Sequence, residues 1–183
     1  MKKINFPTFL NHILFVLPFC SVLTGIFSVS CTRTPEPPDT IPSLAATYSG
    51  YFPIGVSVAQ HTLEDSMDRA MIRRHFNSIT SENYMKWEFI HPKPGEYDFE
   101  KADQFMEFGR ENNLSIVGHV LIWHSQTPDW VFHDEAGNLV SREVLLERMK
   151  DHIYKVAGRY KGRIACWDVV NEAVDDNGKM REN

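Results

Sequence analysis

Glu172 stands at the end of an apolar, β-branched run, Cys166-Trp167-Asp168-Val169-Val170-Asn171-Glu172. A strand that ends in a carboxyl group can deliver it to the mouth of an α/β enzyme, where it donates or accepts a proton. Two earlier apolar runs also end in unusual polar and aromatic residues. The first gives Glu82-Asn83 and Lys86-Trp87, and the second gives His119, Trp123 and His124. His119 and His124 lie five residues apart, which is not a recognised ligand spacing, and no Cys or carboxylate cluster completes a tetrahedral set, so no metal is expected. Asp175-Asp176-Asn177-Gly178 holds oxygen ligands that would suit calcium, but Asp/Asn-Gly is first a turn signal. Gly55 is isolated and no G-x-G-x-x-G occurs, so no dinucleotide or other cofactor is expected.

The elements that must position these residues are read from periodicity. Ile54 to Val58 is strand-like. Leu63, Met67, Ala70, Met71 and Arg74 follow at helical spacing, and Phe76 to Thr80 is a second strand. Ala102 to Glu111 is helical, and Leu114 to Leu121 is a strand. Ser141 is placed to cap a helix that runs towards Tyr160, and Ile164 to Val170 closes the series. Strands alternating with helices predict parallel βαβ units with both sheet faces covered. An open doubly wound sheet competes, but polar clusters at the ends of several strands favour a (β/α)8 TIM barrel. A closed barrel takes about 250 residues, and only about 150 follow the leader here, so the expectation is the first four βα units.

The 183 residues are 43% hydrophobic and 23% charged, the make-up of a globular domain. The formal charge is -5 with no basic stripe, so nucleic acid is not an expected partner. Lys2 and Lys3 precede a mostly apolar stretch, Ile13 to Val29, broken by Pro18, which reads as an export signal over residues 1–30 rather than a membrane span. Ser28-Val29-Ser30-Cys31 resembles a bacterial lipoprotein processing site, although Ser28 stands where Leu is usual. It implies lipidation of Cys31 and an exported, membrane-anchored protein, periplasmic or at the cell surface. Residues 31–44 are Pro-rich and polar, as in an extended tether, and residues 45–183 form the domain. That domain keeps only Cys166, so no internal disulfide is expected, and Cys166 is read as a small buried hydrophobe.

The segments from Phe76 to Trp87, Gly118 to Trp130 and Trp167 to Ala173, with Pro92 to Phe99 as a further match, resemble glycoside hydrolase family 10, the endo-β-1,4-xylanases. The resemblance covers Tyr51 to Asn183, the N-terminal half of that family's catalytic module. It implies retaining hydrolysis of β-1,4-xylosidic bonds, with xylan or xylo-oligosaccharides as substrate and Glu172 as the acid/base. It places Asn171 on the sugar 2-hydroxyl, and Glu82, Asn83, Lys86, His119, Trp123 and Gln126 along the glycone side. Those types suit hydroxyl-rich sugars, which need paired donors and acceptors and aromatic faces for their C–H surfaces. Trp87 and Trp130 are expected to pack in the core.

Proton donation requires Glu172 to stay protonated, so it is expected to be packed beside Trp167 and Val170 or near another carboxylate. The mechanism needs a second carboxyl group about 5–5.5 Å away. In the family the nucleophile is a glutamate at a later strand end, and nothing between Ala173 and Asn183 can supply it. Residues 45–183 alone are therefore expected to be inactive and poorly soluble, with the missing C-terminal half of the barrel as partner. The alternative is a non-catalytic, lipid-anchored xylan-binding protein; a barrel hydrolase acting on β-glucans is weaker, because the motifs extend beyond the Asn-Glu ending.

Overall fold

The computed structural model describes residues 41–181. The expected export signal, Cys31 and nearly all of the tether lie outside them. Ser43 opens a short helix, α1 (Leu44–Thr47), with its hydroxyl accepting from the Ala46 amide. Four strands follow: β1 (Gly55–Val58), β2 (Ser78–Ser81), β3 (Ser115–Ile122) and β4 (Cys166–Val170). They form one sheet in the order β1-β2-β3-β4, each neighbouring pair parallel. Parallel neighbours need crossover connections, and the main ones contain α3 (Ser66–His75), α5 (Glu100–Glu111) and α6 (Arg142–Arg159). Two shorter helices, α2 (Gln60–Glu64) and α4 (Trp87–Ile90), follow β1 and β2.

The expected helix from Leu63 to Arg74 is broken at Asp65. Its carboxylate accepts from the amides of Met67 and Asp68, so it ends α2 and caps α3, and those bonds hold it below the ordinary aspartate range. The apolar face of α3 also differs from the expected one. Met67 is 79% exposed and Met71 is also exposed, while Ile72 carries the burial. Elsewhere the spacing leads to the observed element within one to three residues. Ser141 accepts from the Val144 amide and starts α6.

One core joins the elements. Val58, Ile79, Ile116 and Leu121 from the strands pack with Ile72, Phe105, Met106, Val156 and Tyr160 from the helices. Gly118 makes this packing possible in β3, because the Trp167 ring of β4 lies where a side chain at Gly118 would be. β1 and β4 are the edges of the sheet among the described residues, and Val169, Val170 and Cys166 on β4 are exposed. Cys166 is free and is not the buried hydrophobe expected. No helix among the described residues is long and apolar enough to cross a membrane.

The loop between β3 and α6 carries a 3-10 turn, Asp129–Val131. Arg148 of α6 fixes it by donating to the carbonyls of Trp130, Val131 and His133. Beyond that clamp a narrow hairpin closes with the bridge His133–Leu139 and a turn at Asp134 to Gly137.

Candidate active site

The strand ends bring most of the sequence-selected residues together. After β2 the chain turns through Glu82 and Asn83, and Lys86 caps α4 with its carbonyl. Lys86 is 8% exposed, not a solvated surface lysine. Its ammonium donates to Asn83 Oδ1 at 3.1 Å and to Gln126 Oε1, while Gln126 Nε2 donates to Asn83 Oδ1 at 3.2 Å. The ammonium also lies 4.6 Å from the centre of the Trp123 ring. Burial holds it below the ordinary lysine value, and the carboxylates of Glu82, Glu172 and Glu88 oppose that shift. Donors, acceptors and an indole face are thus fixed within one polar cradle.

Glu172 follows β4 by two residues and adopts φ 52°, a left-handed conformation that non-glycine residues adopt at a cost of about 1–3 kcal/mol. Gln126 does the same, with φ 48°. Neighbours hold both in place. Arg181 Nε donates to the Glu172 carbonyl at 3.0 Å, and the Gln126 carbonyl accepts from the Glu88 amide at 2.9 Å. The Glu172 carboxylate accepts from Trp123 Nε1 at 2.9 Å, and His124 Nε2 lies 3.8 Å from the same oxygen. Its side chain is half exposed, and Val170 is exposed as well, so the expected packing against Trp167 and Val170 does not occur.

Trp123 therefore spans the site, with Lys86 over its face and Glu172 on its edge nitrogen. The Asn171 amide donates to the Ile122 carbonyl at 2.9 Å, which ties the end of β4 to β3. Asn171, Glu172, Trp123 and His124 line a cleft of about 320 Å³ whose deeper wall is apolar, with Ile122, Val131, Phe132, Leu145 and Met149. His119 is half buried on β3, where an irregularity in the pairing with β4 falls between it and Ile122. Its Nδ1 lies 2.9 Å from Asp168 Oδ2, and its ring centre is 6.4 Å from that of Trp123. Glu82 is exposed at the end of β2 and reaches the cradle through its charge on Lys86.

Sequence reasoning missed three residues: Asp168 as the partner of His119, His124 as a neighbour of Glu172, and Arg181 as the anchor of the Glu172 backbone. The parallel register His119–Asp168 was the available signal for the first. Among the described residues no group of three or more His, Cys, Asp or Glu side chains is arranged to hold a metal ion. The Asp175 run forms a turn, with Asp175 accepting from the amides of Asn177 and Lys179. Trp87 is buried, and Trp130 is half buried with its ring nitrogen on the Pro92 carbonyl.

The same arrangement of sequence and fold occurs in known proteins. Endo-1,4-beta-xylanase B of Paenibacillus barcinonensis is 48% identical over 136 residues, 74% of this chain and 40% of that protein. Endo-1,4-beta-xylanase A of Caldicellulosiruptor sp. (strain Rt8B.4) is 46% identical over 173 residues, 89% of this chain and 25% of that protein. The crystal structure of xylanase XynB from Paenibacillus barcinonensis, complexed with a conduramine derivative, superposes with a TM-score of 0.74 at 45% identity. The superposition covers 79% of this chain and 44% of that one. The chain thus spans less than half the length of these relatives. The family model described as Glycosyl hydrolase family 10 matches residues 43–183. Its members fold as (β/α)8 barrels, and the four-stranded parallel sheet with its crossover helices is part of such a barrel. On these matches, the chain belongs to glycosyl hydrolase family 10.

Proposed function

We propose that the protein containing this chain is an endo-1,4-β-xylanase that hydrolyses xylan with retention, using Glu172 as acid/base. The observation that carries this reading is the shared indole of Trp123, which holds the Glu172 carboxylate at 2.9 Å on one side and the Lys86 ammonium on the other. A sugar seated on the Lys86, Asn83 and Gln126 cradle would present its glycosidic oxygen towards Glu172, with Asn171 beside the 2-hydroxyl. Glu172 would protonate the leaving oxygen, and a second carboxylate, from outside residues 41–181, would attack the anomeric carbon. Glu172 would then take a proton from the water that hydrolyses the intermediate. Glu82 and His119 would complete the glycone side. We further propose export and anchoring of the protein through a lipidated Cys31.

The test is release of reducing sugar from xylan by the full-length protein. Glu172→Gln is expected to lower turnover by about 10²–10⁴-fold, the range for loss of a general acid/base. Unchanged turnover would remove Glu172 from that role. Cys31→Ser is expected to move the protein from the membrane fraction to the soluble fraction, and an unchanged distribution would refute the anchor.

A further inference from the structure

His91 and His152 take no part in the chemistry above, yet they are 2% and 0% exposed. None of their four ring nitrogens has a hydrogen-bond partner among the described residues, and a buried polar group left without one costs free energy. The two imidazoles lie parallel to within 1°, with centres 5.7 Å apart. His152 of α6 stacks on Trp87 of α4 at 4.0 Å, and His91 stacks on Tyr97 at 3.8 Å with the edge of Trp130 against it. This stack of rings links α4 to α6.

A proton on either imidazole would meet poor compensation. Asp151 is the carboxylate acting on both rings, but its Oδ2 already accepts from the Tyr97 hydroxyl at 2.8 Å and lies 3.1 Å from Lys155 Nζ. Arg148 and Glu147 share with His91 and Asp151 the wall of a cavity of about 280 Å³, and the Arg148 guanidinium is held by three carbonyls. Two charged rings would also repel each other across an apolar stack.

We propose that His91 and His152 form an acid-sensitive joint that holds α4, with Lys86 at its start, against α6 only while both rings are uncharged. Burial, reinforced by Lys155 and opposed by Asp151, lowers His91 to about 4. Burial and the neighbouring His91, opposed by Asp151, lower His152 to about 3. Folding therefore weakens proton binding, and the unfolded chain takes up protons first as the pH falls below about 6.5. Stability from this source is complete above that value and is lost progressively towards pH 4 and 3. Because Lys86 at the start of α4 belongs to the cradle, the test reads folding and not turnover, which separates the joint from the proposed chemistry.

The experiment is urea denaturation of the full-length protein at pH 7.5 and pH 5, for wild type, His91→Phe, His152→Phe and the double variant. Linkage gives a fall in the folded-to-unfolded ratio of about 30-fold per ring between these values. Each substitution is expected to abolish its own share, and the double variant both shares. Equal acid losses in wild type and double variant would overturn the proposal. Should the variants fail to fold, NMR titration of the wild-type imidazoles decides. Two rings still neutral in the folded protein at pH 5 support the joint, and midpoints near 6.5 for both refute it.

Discussion

Gly118→Ala is a small change with a large expected effect. A Cβ at this position would lie 2.3, 2.5 and 2.6 Å from three carbons of the Trp167 ring, where carbon contacts are normally about 3.5–4.0 Å. The ring would have to withdraw by more than about 1 Å, and the atoms struck belong to a rigid indole rather than to the tip of a flexible chain. Trp167 pairs with Gly118 across the sheet, so relieving the contact requires either the whole ring to swing out or β4 to shift. Overpacking of this kind costs about 1–3 kcal/mol, and the rigidity of the ring places it near the upper end. Alanine recovers about 0.5–1 kcal/mol of backbone entropy, which leaves a net loss of about 2 kcal/mol.

Gly109→Ala is the control. Its Cβ would meet Ile116 Cδ1 at 2.5 Å and Cγ1 at 2.8 Å and Ile79 Cδ1 at 3.2 Å, single aliphatic branches rather than a fused ring, and it lies inside α5, where alanine gains about 1 kcal/mol. Its net effect is expected within about 1 kcal/mol of zero. Urea denaturation at pH 7.5 measures both variants. A Gly118→Ala protein as stable as wild type, or less affected than Gly109→Ala, would refute the steric reasoning. The displacement should also reach the site, because Asp168 follows Trp167 directly and Glu172 lies five residues beyond it on the same strand end. A misplacement of about 1 Å can cost about 10²-fold in turnover on xylan, measured in the full-length protein.

Other variants address single contacts. Trp123→Phe keeps an aromatic face under Lys86 but removes the N–H that holds Glu172, so turnover is expected to fall about tenfold or more, about 1.4 kcal/mol of transition-state stabilisation, with the urea midpoint nearly unchanged. An unaltered rate would mean that the bond does not orient the carboxylate. Asp65→Ala removes the acceptor of two amides from the start of α3 and is expected to cost about 1 kcal/mol by denaturation at pH 7, with the loss shrinking as the pH falls below the unfolded aspartate value, where the unfolded chain takes up the proton first. A loss that does not depend on pH would point to packing instead of capping.

The parts of the fold that follow from periodicity were legible in the sequence. Alternating apolar runs locate the strands, and Ser141 locates the start of α6, because these signals are local. The break at Asp65 is local too, but a continuous helical spacing from Leu63 to Arg74 masks it. The apolar neighbours of Cys166 suggest burial, whereas among the described residues its side chain is exposed. At the site, residue types were legible from the motifs, but the partners were not. His119 finds Asp168, and Trp123 finds Glu172, each across 49 residues, and only the strand register supplies that pairing. The left-handed turns at Gln126 and Glu172 are set by tertiary contacts, so no local preference announces them. No local pattern marks His91 and His152, which only the fold brings together in one stack.

The Arg148 clamp divides the long connection after β3 into two parts with different freedoms. On one side, residues up to Val131 are bound to α6 and to the cradle through Gln126. On the other, the hairpin tip from Asp134 to Leu139 is fastened mainly to itself. A guanidinium that gathers three carbonyls acts as a knot in a cord: tension or slack beyond it does not travel back. Length changes at the tip should therefore leave the Lys86, Asn83 and Gln126 cradle where it is, which makes that tip the place where a chain of this kind could acquire a lid or an added module without rebuilding its site.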